Sequence, residues 1–332
     1  MNKSCSNPWI MAPVALLIGC ATVRSEPPPP DSNHDAVSPP VALAPPVPPE
    51  LVEAAVEASD PEPQPPDLTP YAWHADPSVQ ALPAHDNLLS RVGTSPGFAR
   101  VSVEDGSFGA WLRMLPLAAP GTPVLSNSGS IVRSGSHANV AAVSTVDIGT
   151  ADLQQCADSI IRMHAEWLWS IGKRDMSYRA ASGVMLPYER WKRGERVFLV
   201  GQKLEWRVSA AGPSDTHASF RVYLDRVFEW ANTGSLERQG VAVSVDQIEP
   251  GDFFVTPGGP GHAVLVLDVA KNAEGATEVL LGQGYMPAQS FHVIQQRPGT
   301  VWYRIDRELG GVQIPFWGSP FPWSSLRRLV HK

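Results

Sequence analysis

Between Cys20 and Pro70 the chain carries 15 of its 33 prolines, in runs such as EPPPPD, PPVALAPPVPPE and DPEPQPPD. Each proline restricts φ and removes a backbone donor. A stretch this rich in them favours extended polyproline II and cannot bury a core. Any sizeable folded domain is therefore confined to the residues that follow. The same stretch holds the acidity: Glu26, Asp31, Asp35, Glu50, Glu53, Glu57, Asp60, Glu62 and Asp67 stand against Arg24 alone. With Lys3 ahead of it, the chain's net charge of −7 leaves residues 71–332 neutral. A neutral domain lacks the electrostatic footprint of a nucleic-acid binder, so no nucleic-acid partner is expected.

The first residues, MNKSCSNPWIMAPVALLIGCA, set a basic Lys3 before an apolar run from Trp9 to Gly19. That run is too short to span a bilayer and long enough for the core of a signal peptide. It closes on Leu17-Ile18-Gly19-Cys20, which resembles a bacterial lipobox. The resemblance implies a lipoprotein signal peptide over 1–19 and lipidation of Cys20, making the membrane a partner through that lipid. It also implies a place in the bacterial cell envelope. Ala21, rather than Asp, after the cysteine favours the outer membrane, facing the periplasm. Residues 20–70 then read as a disordered acidic tether, with a reach on the order of 150 Å at about 3.1 Å per residue. Residues 71–332 read as one domain, long enough for a proper core.

Within that domain GFARVSV, SFGAWLRMLPL and GTPVLSNSGSIV suggest a strand-rich beginning. A helix follows in DLQQCADSIIRMHAEWLW, then strands in RVFLVG and KLEWRVSAAG. A second helix in SFRVYLDRVFEWANTG is expected to end at Gly234. Short strands divided by turn residues complete the chain: GDFFVT, HAVLVLDVA, TEVLLGQGYM, FHVIQ and VWYRI. Helices grouped ahead of a mostly antiparallel sheet give an α+β class.

Removal of 1–19 and lipidation of Cys20 would leave Cys156 as the one free thiol of an exported chain, where leftover cysteines are uncommon. It lies on an apolar helical stripe with Leu153, Ala157, Ile160, His164, Trp167 and Leu168. Asp152 and Gln155 fit a capping box, which sets Cys156 near the positive end of the helix, where a thiolate is favoured. A thiolate nucleophile needs a base, most often His. Of nine histidines, His262 stands apart, because it begins an apolar strand at the PGGPGH turn. Alternation puts it on one face with Val264, Val266 and Asp268. His164 lies two turns along the cysteine's own helix, out of reach of the sulfur. The remaining reading is that Cys156 is packing and His262 a turn residue. Eleven tryptophans offer sugar-stacking platforms or core packing. No motif calls for a metal or cofactor.

The segment PGDFFV…GHAVLVLDV resembles the second half of CHAP and NlpC-type domains, which are papain-like cysteine hydrolases. CHAP domains place the nucleophile after a Gln at a helix start, as in QQC here, and a polar orienting residue on the strand after the His strand. The resemblance implies a papain-like fold with helices packed on the sheet. It implies Cys156 as nucleophile, His262 as base and Gln283 as orienter, with Gln155 or Gln154 at an oxyanion hole. The expected activity is cleavage of an amide bond, in peptidoglycan or another peptide. The alternative is a noncatalytic binding or scaffold lipoprotein on the same fold. Spacing from GSLERQ offers a different counterpart for the nucleophile helix, SFRVYLDRVFEW, which holds Ser219 and no Cys. Over residues 94–317, GSFGAWLRMLPL, DLQQCAD, PGHA and YMPAQ are together similar to an uncharacterised bacterial family often found in lipoproteins.

Overall fold

In the computed structural model residues 65–331 are described; the expected signal peptide, Cys20 and nearly all of the expected tether lie outside them. HAVLVLDVA is apolar at almost every position, and a strand buried on both faces needs that pattern. It forms the central strand β5 (His262–Asn272) of a nine-stranded antiparallel sheet. The other strands are β1 (Phe98–Arg100), β2 (Val140–Val143), β3 (Val241–Ala242), β4 (Phe253–Thr256), β6 (Thr277–Gln283), β7 (His292–Ile294), β8 (Trp302–Arg304) and β9 (Leu326–Arg328). Their order is β3-β9-β4-β5-β6-β7-β2, with β1 added to β5 and β8 to β6. The six α-helices among the described residues are α1 (Leu88–Arg91), α2 (Phe108–Arg113), α3 (Cys156–Ser170), α4 (Tyr188–Lys192), α5 (His217–Trp230) and α6 (Thr233–Gln239). The class is α+β, with a core on each face of β5. Ala263, Leu265 and Leu267 pack with the helices, while Val264, Val266 and Val269 pack under the C-terminal segment with Phe321 and Leu326.

Three local expectations differ from the structure. SFGAWLRMLPL is mostly helix α2, because the Ser107 side chain caps it by accepting from the Ala110 N–H. The second helix stops at Ala231, not Gly234. Asn232 starts α6 there by accepting from the Ser235 N–H, so Gly234 lies inside the new helix. Asp268 does not share the His262 face. A register shift between Val266 and Asp268 turns it towards α2, where it accepts from Arg100 (2.7 Å) and Arg113 (2.9 Å).

A buried charge network ties α3 to α5. Arg162 is fully buried and donates to Asp147 (2.6 Å), Glu166 (2.8 Å) and Gln154 (3.0 Å). Arg221 on α5 meets the other Asp147 oxygen at 3.0 Å. His217 spans the Glu166 carboxylate (3.1 Å) and Asp76 (2.6 Å), an arrangement that uses both ring N–H groups. Burial pulls the His217 pKa down, but the bonds and charge of Glu166, with Asp76 behind, outweigh burial and the opposing Arg162. The result is a pKa above the ordinary 6.5. A raised folded-state pKa stabilises fully below the unfolded value and is lost as pH rises through the folded one. The stability difference between wild type and His217→Gln should therefore be largest at pH 6 and shrink towards pH 9. Urea midpoints across that range measure it, and a gap that is constant or widens with pH would contradict the charged assignment.

Candidate active site

Helix α3 begins at Cys156 itself, with Gln155 as N-cap. The expected Asp152 cap does not form, because the Asp152 carboxylate accepts instead from the Ala288 N–H (2.6 Å) and the Gln155 side-chain amide (3.0 Å). The cysteine therefore occupies the first helical position, where backbone N–H groups lack intrahelical acceptors. Its sulfur lies against the N–H groups of Ala157 and Ala263, the latter being the residue after His262. Cys156 and the start of the His262 strand are thus neighbours. The Ser219 helix does not supply this position: its hydroxyl accepts from the Trp191 indole at 3.1 Å.

Two glycines hold this meeting of elements. A Cβ on Gly284, just past β6, would stand 2.1 Å from Ser159 Oγ and 2.9 Å from the Gln155 carbonyl, so the end of the Gln283 strand crosses the first turn of α3. A Cβ on Gly261 would stand 2.4 Å from Thr233 Oγ1 on α6 and 2.9 Å from the Thr256 carbonyl. Gly284→Ala must therefore push α3 away from the strand, at a cost of about 1–3 kcal/mol. Thermal denaturation should show this, and Ser159→Ala in the same chain should recover part of it. An unshifted midpoint would mean that the crossing is looser than described.

A chain of hydrogen bonds sets the protonation pattern. His292 is buried, and its Nδ1 faces the Ser290 carbonyl at 2.9 Å, an acceptor only, so Nδ1 carries the proton. Burial pushes the His292 pKa down to about 4, leaving its Nε2 bare at neutral pH. That Nε2 accepts from Gln283 Nε2 (3.3 Å), directly across the β6–β7 pair. Gln283 Oε1 is thereby aimed at His262 Nε2 and accepts from it at 2.7 Å. His262 is also buried, and its pKa is pushed down to about 4. Its ring is neutral, with the proton on Nε2 and the lone pair on Nδ1, the tautomer a general base requires. A single backbone carbonyl fixes the sequence of donors through three side chains. His292 lies in the expected FHVIQ strand, and its role depends on the Gln283–His292 register.

The site is covered. Gly311–Val312 and Phe321–Pro322 pair as a short hairpin, and residues 313–320 arch between them. The Trp317 ring lies 5.1 Å from His262, the Tyr285 ring 4.7 Å and the Phe321 ring 5.9 Å. The Tyr285 hydroxyl donates to the Phe316 carbonyl (2.8 Å). Phe316 has φ of 73°, a left-handed conformation that costs a side-chain-bearing residue about 1–2 kcal/mol. The Trp317 indole N–H is buried with no acceptor, a donor left without a partner at about 1–3 kcal/mol. Under this cover Cys156 is only 5% exposed. Burial, with the Asp158 charge, pushes the thiol up to about 11 despite the helix N–H groups. The thiolate expected at a helix start is therefore not the resting form; the thiol and the His262 imidazole are both neutral at pH 7.

The glutamines ahead of Cys156 are engaged elsewhere. Gln155 bonds Asp152, and Gln154 donates to the Asp147 carbonyl (3.3 Å) while accepting from Arg162. Among the described residues no group of three His, Cys, Asp or Glu side chains is arranged to hold a metal. Two surface hollows, of about 680 and 860 Å³, lie around Asp306 and around Pro250, away from Cys156.

Residues 88–328 match the family described as "Domain of unknown function (4846)", which covers the helices, the sheet and every residue of the Cys156–His262–Gln283 cluster. The chain belongs to this family. No curated protein and no solved structure matches the chain.

Proposed function

We propose that the domain is a papain-like cysteine hydrolase that cleaves amide bonds, in peptidoglycan peptides or other peptides. The observation that carries the reading is a helix-start thiol set against the Ala263 N–H, next in sequence to a histidine that Gln283 holds in its Nδ1-basic tautomer. The order of a cysteine helix, a His strand and then a strand with a polar orienter supports the papain-like assignment. Once the 313–320 arch lifts, His262 Nδ1 removes the thiol proton and the sulfur attacks the amide carbonyl. The carbonyl oxygen takes the electron pair beside the first-turn backbone N–H groups of α3, which lack intrahelical acceptors. Collapse breaks the C–N bond, and the amine departs with the proton from His262, leaving a thioester. Water, deprotonated by the same His262, then releases the acid and restores the thiol.

The burial of Cys156 favours a second reading, a noncatalytic envelope module in which the thiol is packing. Native full-length protein separates the two. Under the hydrolase reading iodoacetamide labels Cys156 without denaturant, and cleavage of peptidoglycan-derived or unrelated peptides, read by mass, vanishes in Cys156→Ser. Labelling only after unfolding, with no cleavage product, favours the packing role.

The same proposal places the chain in a bacterial envelope, tethered through lipid on Cys20. Cys20→Ser should then leave an unprocessed precursor that partitions out of the detergent phase. Unchanged processing and partitioning would remove the anchor.

A further inference from the structure

We infer that Arg133 forms an anion subsite of this same centre, and that the substrate carries a carboxylate close to the amide being cleaved. The inference rests on the hydrolase reading for its substrate, but the subsite can be tested apart from it. Arg133 ends the short strand Ile131–Arg133, which pairs with Val124–Leu125. Its guanidinium lies 4.0 Å from the Phe316 ring centre and 5.7 Å from that of Tyr285, whose ring in turn packs 4.7 Å from His262. Tyr285 is also near enough to Cys156 that a thiolate there would push the phenol pKa up. One aromatic ring, Tyr285, therefore neighbours both the guanidinium and His262.

Among the described residues no carboxylate meets the charge of Arg133. Its side-chain hydrogen bond goes to the neutral Gln289 Oε1 (2.9 Å), and burial lowers its pKa, with only Tyr285 opposing. The buried arginines elsewhere are treated differently: Arg162 has Asp147 and Glu166, and Arg221 has Asp147 and Asp225. The described groups around Arg133 add no negative charge. His292 senses the cation, the His137 ring lies tilted 5.4 Å from that of Phe316, and Gln289 is an amide. A half-buried guanidinium with aromatic walls and several open N–H donors is matched by a carboxylate, which it can bind in a fork. The Gln289 side-chain N–H, buried without an acceptor, is a further unfilled donor on the residue that orients Arg133.

Iodoacetate and iodoacetamide test this directly. Both place the same electrophilic carbon before a thiol, and only iodoacetate carries a carboxylate beside it. On full-length protein at pH 7, the iodoacetate-to-iodoacetamide rate ratio at Cys156 should exceed that of N-acetylcysteine by at least about fivefold. Arg133→Gln should return the ratio to the N-acetylcysteine value, and Arg133→Lys should keep part of the preference. A wild-type ratio equal to that of N-acetylcysteine, or one unmoved by Arg133→Gln, overturns the subsite. Should neither reagent reach native Cys156, the hydrolase reading falls. The subsite is then decided by equilibrium binding of N-acetylglycine against N-acetylglycinamide to Cys156→Ser. Preference for the acid that disappears with Arg133→Gln sustains it, and equal binding overturns it.

Discussion

His262→Ala is expected to slow iodoacetamide labelling of native Cys156 at pH 7 by about 100-fold, the low end of what a positioned base contributes. Burial holds the thiol near 11 and the imidazole near 4, so neither partner is ionised alone at neutral pH. Reaction needs the proton to pass from sulfur to His262 Nδ1 as the site opens. Without the imidazole only free thiolate reacts. The rate in His262→Ala should then climb about tenfold per pH unit towards the thiol's own pKa, while wild type should be flatter between pH 6 and 8. A purely structural histidine would change the rate without changing the slope, and parallel pH profiles would refute the base assignment. Gln283→Ala and His292→Ala should give smaller losses of the same kind, since both act by holding the His262 tautomer.

Asp147→Asn is expected to destabilise the domain by about 3–5 kcal/mol, the range for breaking a buried ion pair from one side. Asp147 joins Arg162, with no solvent exposure, to Arg221, and both guanidinia lose their shared countercharge. Burial alone would raise the Asp147 pKa; the two arginines outweigh it and hold the carboxyl well below the usual carboxylate range. For a domain of this size the change corresponds to roughly 6–20 °C in melting temperature. A shift below about 1 kcal/mol would mean that water or rearrangement replaces the lost charge. Because Gln154 and the start of α3 belong to the same network, the variant should also loosen the Cys156 turn.

Much of the sheet was legible because its signal is local. The apolar run of HAVLVLDVA and the alternating short strands around it follow from side chains that must be buried on one or both faces of a pleated strand. The long helix through Cys156 was legible from its apolar stripe. Where one capping side chain outweighs a pattern, the reading failed. Ser107 turned an expected strand into α2, and Asn232 divided one expected helix into two. Alternation also failed at Asp268, since a bulge reverses the faces beyond it and leaves no mark in composition.

For the candidate site, residue chemistry and a short resemblance singled out Cys156, His262 and Gln283. By itself the sequence determined that a proline-rich segment precedes a neutral domain, that this domain is α+β, and that one thiol stands at a helix start. Those properties depend on backbone restriction, charge count and periodicity, all of which act within a few residues. Only the tertiary structure decided that the sulfur meets the His262 strand, that Ser290 and His292 orient Gln283, and that Phe316 and Trp317 cover the pair. It also decided that Arg133 stands beside Tyr285. Those contacts join segments that are often more than a hundred residues apart. They depend on strand register and on close approach at Gly284 and Gly261, where steric fit in three dimensions, rather than local preference, selects the neighbours.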